Sequence, residues 1–198
     1  MSLYYGVSAG LQLLSVSFLS IALQSNTFAN CSVSASARGG NAYGGAVSLH
    51  IGAYSSAFNS TGDAVAAAGD TVVRNVNVTL DTVDFKSCSA IRENSESLLG
   101  ANVYGGSFSF HIGSYAWSFI QFGGSSSTCG ATHASGIRVL VQNTTSVNSR
   151  AVTSHVTCQG ANSYGGSMSV LHVGAYAWSF SRFGTSNSIS TCKATTAM

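Results

Sequence analysis

The chain has 198 residues, of which only 7% are Asp, Glu, Lys or Arg, where about 25% is usual for a globular domain. Its formal net charge is +2 with no basic run, so nothing in the sequence offers the electrostatic footing that nucleic-acid binding needs. A hydrophobic content of 45% and the absence of proline exclude a disordered polar chain and suit ladder-paired strands, in which every N–H is needed. No apolar run reaches the length of about 18 residues that spans a bilayer.

Taken in order, the chain first presents an apolar segment, Leu11 to Leu23. Two readings are open. It resembles the apolar core of a signal peptide, although no basic residue precedes it. It also reads as a strand over 16–31, because Leu19, Ile21 and Leu23 alternate with polar or small residues and are followed by Phe28 and Cys31. The same order returns as Val76, Val78, Leu80, Phe85 and Cys88, and again as Ile137, Val139 and Val141 with Val147 and Ser149 near the Phe and Cys positions. This recurrence favours the strand.

Next comes YGGAVSLHIGAYSSAF, Tyr43 to Phe58. It recurs as YGGSFSFHIGSYAWSF, Tyr104 to Phe119, and as YGGSMSVLHVGAYAWSF, Tyr164 to Phe180, with one residue inserted before the histidine. His50, His111 and His172 are each 61 residues apart. Such a period is the mark of a repeat architecture. Val47, Leu49 and Ile51, then Phe108, Phe110 and Ile112, then Met168, Val170 and Val173 alternate at period two, the pattern of a half-buried strand. The Gly pairs before them and Gly52, Gly113 and Gly174 after their histidines permit tight corners. Only Asp63 to Asp70, DAVAAAGD, reads as a short helix.

The predicted fold is therefore all-β: a parallel β-solenoid of three repeats, about 16–58, 73–119 and 134–180, with a tail over 181–198. A repeat of this length predicts two or three coils per repeat, with Ser/Gly-rich lateral loops. Residues 76–90 (VNVTLDTVDFKSCSA) followed by 100–110 (GANVYGGSFSF) resemble the right-handed parallel β-helices of the pectin-lyase-like superfamily. They are more narrowly similar to the GGAI and FxxN repeats of polymorphic outer-membrane proteins and related surface proteins. Gly105-Gly106-Ser107-Phe108 stands for GGAI. Phe85-Lys86-Ser87-Cys88 and Phe28-Ala29-Asn30-Cys31 depart from FxxN at the last residue. The resemblance implies a right-handed parallel β-helix, and a superfamily that spans polysaccharide lyases and hydrolases, adhesins, tailspikes and structural surface proteins.

Candidate functional residues fall into four groups. The histidines share strand parity with Ser107 and Ser109, so the parity argument turns them outward, roughly 10–15 Å apart if coils at about 4.8 Å intervene. That is too far to share a metal ion, so a repeat-consensus role is expected and no metal or cofactor. The aromatic row Tyr115, Trp117, Phe119, repeated as Tyr176, Trp178, Phe180, reads either as a core stack or as an exposed platform for sugar rings. Tyr115, Trp117, Tyr176 and Trp178 are the ligand-binding candidates. The six acids lie in one stretch, Asp63 to Glu96, and Asp81 and Asp84 are expected on opposite strand faces, opposite Gln24 and Gln142 and Thr27 and Thr145 in the neighbouring repeats. With no stacked acid cluster, no catalytic residues are assigned.

Cys31 and Cys88 are repeat equivalents, as are Cys129 and Cys192, while Cys158 stands alone. All five are disulfide candidates without readable pairing, and no CxxC suggests zinc. Asn30, Asn59, Asn77 and Asn143 head N-x-S/T sequons. Neither end carries an evident cap. The sequence thus predicts a non-enzymatic extracellular or cell-surface structural protein. It would associate end to end with other copies or with neighbouring repeats of a longer chain. A polysaccharide-binding or adhesive module is the alternative.

Overall fold

A computed structural model describes residues 1–8, 13–35, 42–92, 103–153, 163–181 and 188–198. They form strands and turns with no helix. The strands fall into successive layers. The first holds β1 (Ser2–Ser8), β2 (Leu14–Ser17), β3 (Ser20–Ala29), β4 (Ser32–Ala35) and β5 (Ala42–Tyr43). The second holds β6 (Val47–Ala68), β7 (Thr71–Lys86), β8 (Ser89–Arg92) and β9 (Val103–Tyr104). The third holds β10 (Phe108–Cys129), β11 (Thr132–Gln142), β12 (Thr145–Val147), β13 (Arg150–Thr153) and β14 (Ser163–Tyr164). The last holds β15 (Met168–Ser181), β16 (Ser188–Cys192) and β17 (Thr195–Ala197).

Every strand pairs in parallel with its counterpart in the adjacent layer. Among the described residues four parallel sheets result. Sheet 1 contains β1, β6, β10, β15 and β16, and sheet 2 contains β2, β3, β7, β11, β12 and β17. Sheet 3 contains β4, β8 and β13, and sheet 4 contains β5, β9 and β14. One repeat makes one layer, not the two or three coils expected from its length: Val47 pairs with Phe108, His50 with His111 and Thr71 with Thr132. The length is absorbed by the 22-residue strands β6 and β10. The segment 14–29 pairs with β7 in the register read from the repeat, Ile21 beside Val78, Leu23 beside Leu80 and Phe28 beside Phe85.

The main core lies between sheets 1 and 2. Val47, Leu49, Ile51, Phe108, Phe110 and Ile112 face Val73, Val76, Val78, Leu80, Val83 and Phe85. Fully burying each such side chain contributes roughly 1.5–3 kcal/mol. A smaller cluster of Ala53, Ala66, Ala68, Ala116 and Cys129 fills the far end of β6 and β10. Here the predicted helix fails. Asp63 to Ala68 is strand, with Ala64, Ala66 and Ala68 buried at period two and paired in register with β10. Alanine's helix propensity is worth only tenths of a kcal/mol per residue, and the ladder outweighs it. The Ser/Gly-rich stretch of β10 is likewise strand and not loop. Ser118 Oγ lies 2.7 Å from Ser125 Oγ and 2.8 Å from Ser127 Oγ, a buried hydroxyl cluster.

The corners are ladders of left-handed residues. Phe18, Asn75 and Gly136 form one (φ 59°, 53° and 61°), Ser25, Thr82 and Asn143 a second (53°, 56° and 49°), and Asn30, Ser87 and Asn148 a third (54°, 53° and 54°). Each reverses the inward parity. Val78 and Leu80 point inward before Thr82, and Val83 and Phe85 after it. Asp81 and Asp84 therefore both lie off the core face, contrary to the parity expectation. At the third repeat the register continues unbroken across the corner, so Ser146, one residue before Val147, pairs with Phe85. The inserted residue of the third repeat forms a bulge between Ser169 and His172, which leaves Val170 and Leu171 exposed instead of continuing the inward row.

Glycine is required where layers approach most closely. A Cβ on Gly113 would lie 2.1 Å from the Gly174 carbonyl oxygen, and one on Gly52 2.0 Å from that of Gly113. Gly113→Ala should therefore destabilise by about 2 kcal/mol or more, read as a lowered urea midpoint. At Phe18 the strain runs the other way. This bulky residue is 81% exposed at φ 59°, where its ladder mates are Asn and Gly. Phe18→Asn or Phe18→Gly should stabilise by about 1 kcal/mol, raising the same midpoint.

Candidate functional site

The repeated YGG…H…Y segment builds one continuous feature, a column of imidazoles flanked by tyrosines. Its histidines do not face outward. His50 and His111 are 6% and 0% exposed, and His172 is half-buried. The first nine residues of β10 are all buried. Phe108, Phe110 and Ile112 face sheet 2, while His111 faces the tyrosines of sheet 4. Because one repeat is one layer, the rings are direct neighbours: His50 and His111 stack with centroids 4.9 Å apart, while His172 is tilted by 57° against His111 at 4.6 Å.

Two tyrosine ladders enclose the column. Tyr43 and Tyr104 stack at 4.9 Å and meet His50 and His111 edge-on at 5.0 Å. Tyr54 and Tyr115 stack at 4.9 Å, and Tyr115 and Tyr176 at 5.3 Å. Tyr115 meets His111 edge-on at 5.0 Å. The tyrosines thus fold back over the glycine corner onto the histidines. Tyr115 is fully buried, so it offers no surface to a sugar ring. At the half-buried end His172 Nε2 hydrogen-bonds to the Tyr176 hydroxyl. Behind the column two threonines tie layers together. The Ala53 amide donates to Thr71 Oγ1 (3.1 Å), which donates to the Gly113 carbonyl (3.3 Å). Ser114 N, Thr132 Oγ1 and the Gly174 carbonyl repeat the arrangement.

The imidazoles are held neutral. Burial alone pushes His50 down to about 3. Burial, then the neighbouring His50 and His172, hold His111 well below its ordinary value, and burial lowers His172. Neither ring nitrogen of His111 has a hydrogen-bond partner among the described residues. Face-to-face rings, 9° apart for His50 and His111, aim their nitrogens side by side and not at a common point. Among the described residues no three His, Cys, Asp or Glu side chains group as a metal site would need.

The other predicted residues are dispersed. Trp117 and Trp178 are register partners, Trp117 half-buried, with the Trp178 side chain outside the described set. Exposed Phe58 stands 6.5 Å from Phe119 on the same flank. Gln24 and Gln142 flank Asp81, and Thr27 and Thr145 flank Asp84, as the repeat implies. Hydrogen bonds from Gln142, then Asn143, hold the Asp81 carboxyl below its usual range, and Thr145 donates to Asp84 at 2.6 Å. Glu93 and Glu96 lie outside the described residues, as does Cys158. Cys129 and Cys192 are joined, while Cys31 and Cys88 are free thiols. Asn30, Asn59, Asn77 and Asn143 are all exposed.

Sequence reasoning missed one layer of the column's setting. Residues 2–8 (SLYYGVS) pair with 48–54 (SLHIGAY), placing Tyr4 beside His50 and Gly6 beside Gly52. The shared Ser-Leu-x-x-Gly was the available signal. Among the described residues no helix is long and apolar enough to cross a membrane. No family model, no curated protein and no solved structure matches the chain.

The column makes stability acid-sensitive. An unfolded histidine binds a proton near pH 6.5, whereas folded His50 resists until about 3. The unfolded state therefore takes up more protons, and stability is complete above pH 6.5 and falls as pH drops toward 3, by about 1.4 kcal/mol per pH unit for each buried histidine. Urea midpoints measured from pH 7.5 to 4 should fall accordingly, and His111→Phe should flatten the slope.

Proposed function

We propose that this chain is a right-handed parallel β-helix that works outside the cell as a non-enzymatic structural protein, joining end to end with further copies or repeats. The fold reading rests on its likeness to pectin-lyase-like and polymorphic outer-membrane-type repeats and on parallel layers in repeat register. The observation that carries the assembly reading is the repetition of one register through sheet 2. Ile137–Gln142 of β11 and Ser20–Ala29 of β3 pair in parallel with opposite sides of β7. The two strands carry equivalent residues, Ile21 with Val139 and Leu23 with Val141, both registered on Val78 and Leu80. A second copy would therefore continue the joint already used inside the chain. Unpaired backbone edges with apolar side chains invite such a strand, and non-closing head-to-tail contacts give filaments. The bulge at Val170–Leu171 interrupts sheet 1, so sheet 2 bears the joint. The Cys129–Cys192 pair and the exposed sequon asparagines favour an oxidising, extracellular setting.

A second reading, a carbohydrate-binding or adhesive module, is favoured by the aromatic flank of sheet 1. Phe58 is 56% exposed there, 6.5 Å from Phe119, which lies two residues along β10 from half-buried Trp117. Saturable quenching of tryptophan fluorescence by polysaccharide, lost in Trp117→Ala, would support it.

Sedimentation velocity and negative-stain microscopy across a concentration series decide the first reading. The expected result is concentration-dependent rods of increasing length, suppressed by Val141→Lys at a 39% exposed position. A single monomeric species throughout, unchanged by that substitution, would overturn it.

A further inference from the structure

Cys129 and Cys192 are register partners in β10 and β16, one layer apart, with Cα atoms 4.6 Å apart and sulfurs joined. Cys31 and Cys88 hold the same relation one joint earlier. Each immediately precedes a register partner, Ser32 and Ser89. The backbone around them is closely paired, with the Asn30 amide donating to the Lys86 carbonyl at 2.9 Å and the Ser89 amide to the Cys31 carbonyl at 2.8 Å. Neighbouring strands at about 4.8 Å fall within the Cα separation of disulfides. The thiols turn to the same side. Cys88 Sγ donates toward the Phe28 carbonyl of the first layer at 3.6 Å as well as the Lys86 carbonyl at 3.5 Å. Burial pushes the Cys31 thiol up, and so do the Cys88 thiol beside it and its hydrogen bond.

We infer that Cys31 and Cys88 form a second cross-layer disulfide on oxidation by a low-molecular-weight disulfide such as oxidised glutathione. Half-buried Cys31 reacts first. Its thiolate attacks one glutathione sulfur, forms a mixed disulfide and expels one glutathione thiolate. The Cys88 thiolate then attacks the Cys31 sulfur, forming the Cys31–Cys88 bond and expelling the second. The two protein thiols lose two protons and two electrons, and the glutathione disulfide gains them. Reaction is slow at neutral pH because little Cys31 is thiolate, so the bond is structural and not a fast sensor. It fastens the first layer to the second as Cys129–Cys192 fastens the third to the last.

Peptide mapping under non-reducing conditions tests this on the full chain equilibrated in a glutathione redox buffer. The expected result is a linked pair of peptides carrying Cys31 and Cys88, one thiol titratable in denaturant, and a thermal midpoint several degrees above that of the same protein before oxidation. Cys31→Ser should abolish both the linked peptide and the rise. Recovery of Cys31 and Cys88 as alkylated free thiols, or of either joined to Cys158, overturns the inference. The map reads the same in monomers and assemblies, so its outcome is independent of end-to-end association.

Discussion

The structure depends on like residues lying over like in parallel, in-register ladders. A side chain is neighboured above and below by its repeat equivalent at about 4.8 Å, so a residue type is tolerated only if it stacks well on itself. Ile51, Ile112 and Val173 do so in the core, and Gly52, Gly113 and Gly174 at the closest approach of backbone. Charge does not. Two like charges at this spacing repel by roughly 3.5 kcal/mol at an effective dielectric constant of 20. Accordingly, no charged residue in the paired strands has a like charge as its register partner. Asp81 lies between Gln24 and Gln142, Asp84 between Thr27 and Thr145, and Arg138 beside Asn77. The low charge content of the chain follows from the ladder. Polarity is supplied instead by Ser, Thr and Asn, which stack without repulsion and can hydrogen-bond to their own copies.

The same rule accounts for the histidines. An imidazolium column would be a row of like charges in a desolvated interior. Neutral His50 and His111 stack with flat faces together, and tyrosines meet them through edge contacts that need no charge. Burial and the neighbouring rings lower the proton affinity of His111 in the same direction. The cost is a pair of ring nitrogens on His111 without hydrogen-bond partners among the described residues.

The inward rows were legible in the sequence because period-two alternation and a fixed repeat offset report directly on strand faces and register. Ile21, Val78 and Val139, and Phe28 with Phe85, lie where that reasoning places them. The site was less legible. Parity assumes a sheet with one buried face, but the second face of β6 and β10 is covered by tyrosines on strands of two residues, Ala42–Tyr43 and Val103–Tyr104. Strands this short carry no periodicity. The left-handed corners were also hidden, since Ser25, Thr82 and Phe18 are not residue types that announce such a conformation. Each corner shifts parity by one residue, which is why Asp81 and Asp84 share an outer surface.

An in-register ladder contains no internal signal to stop, because each layer presents to the next the same edge it received. Termination must come from mismatch. At β15 the inserted residue between Ser169 and His172 supplies one, turning Val170 and Leu171 out of the row that Phe110 occupies above them. Bulges of this kind twist an edge away from further pairing. Along Ile137–Gln142 of β11 the described strand carries no such bulge, and Val141 is exposed. The two long sheets therefore differ within the stack: one carries a break in register at its inserted residue, while the other keeps a constant offset from β3 through β7 to β11.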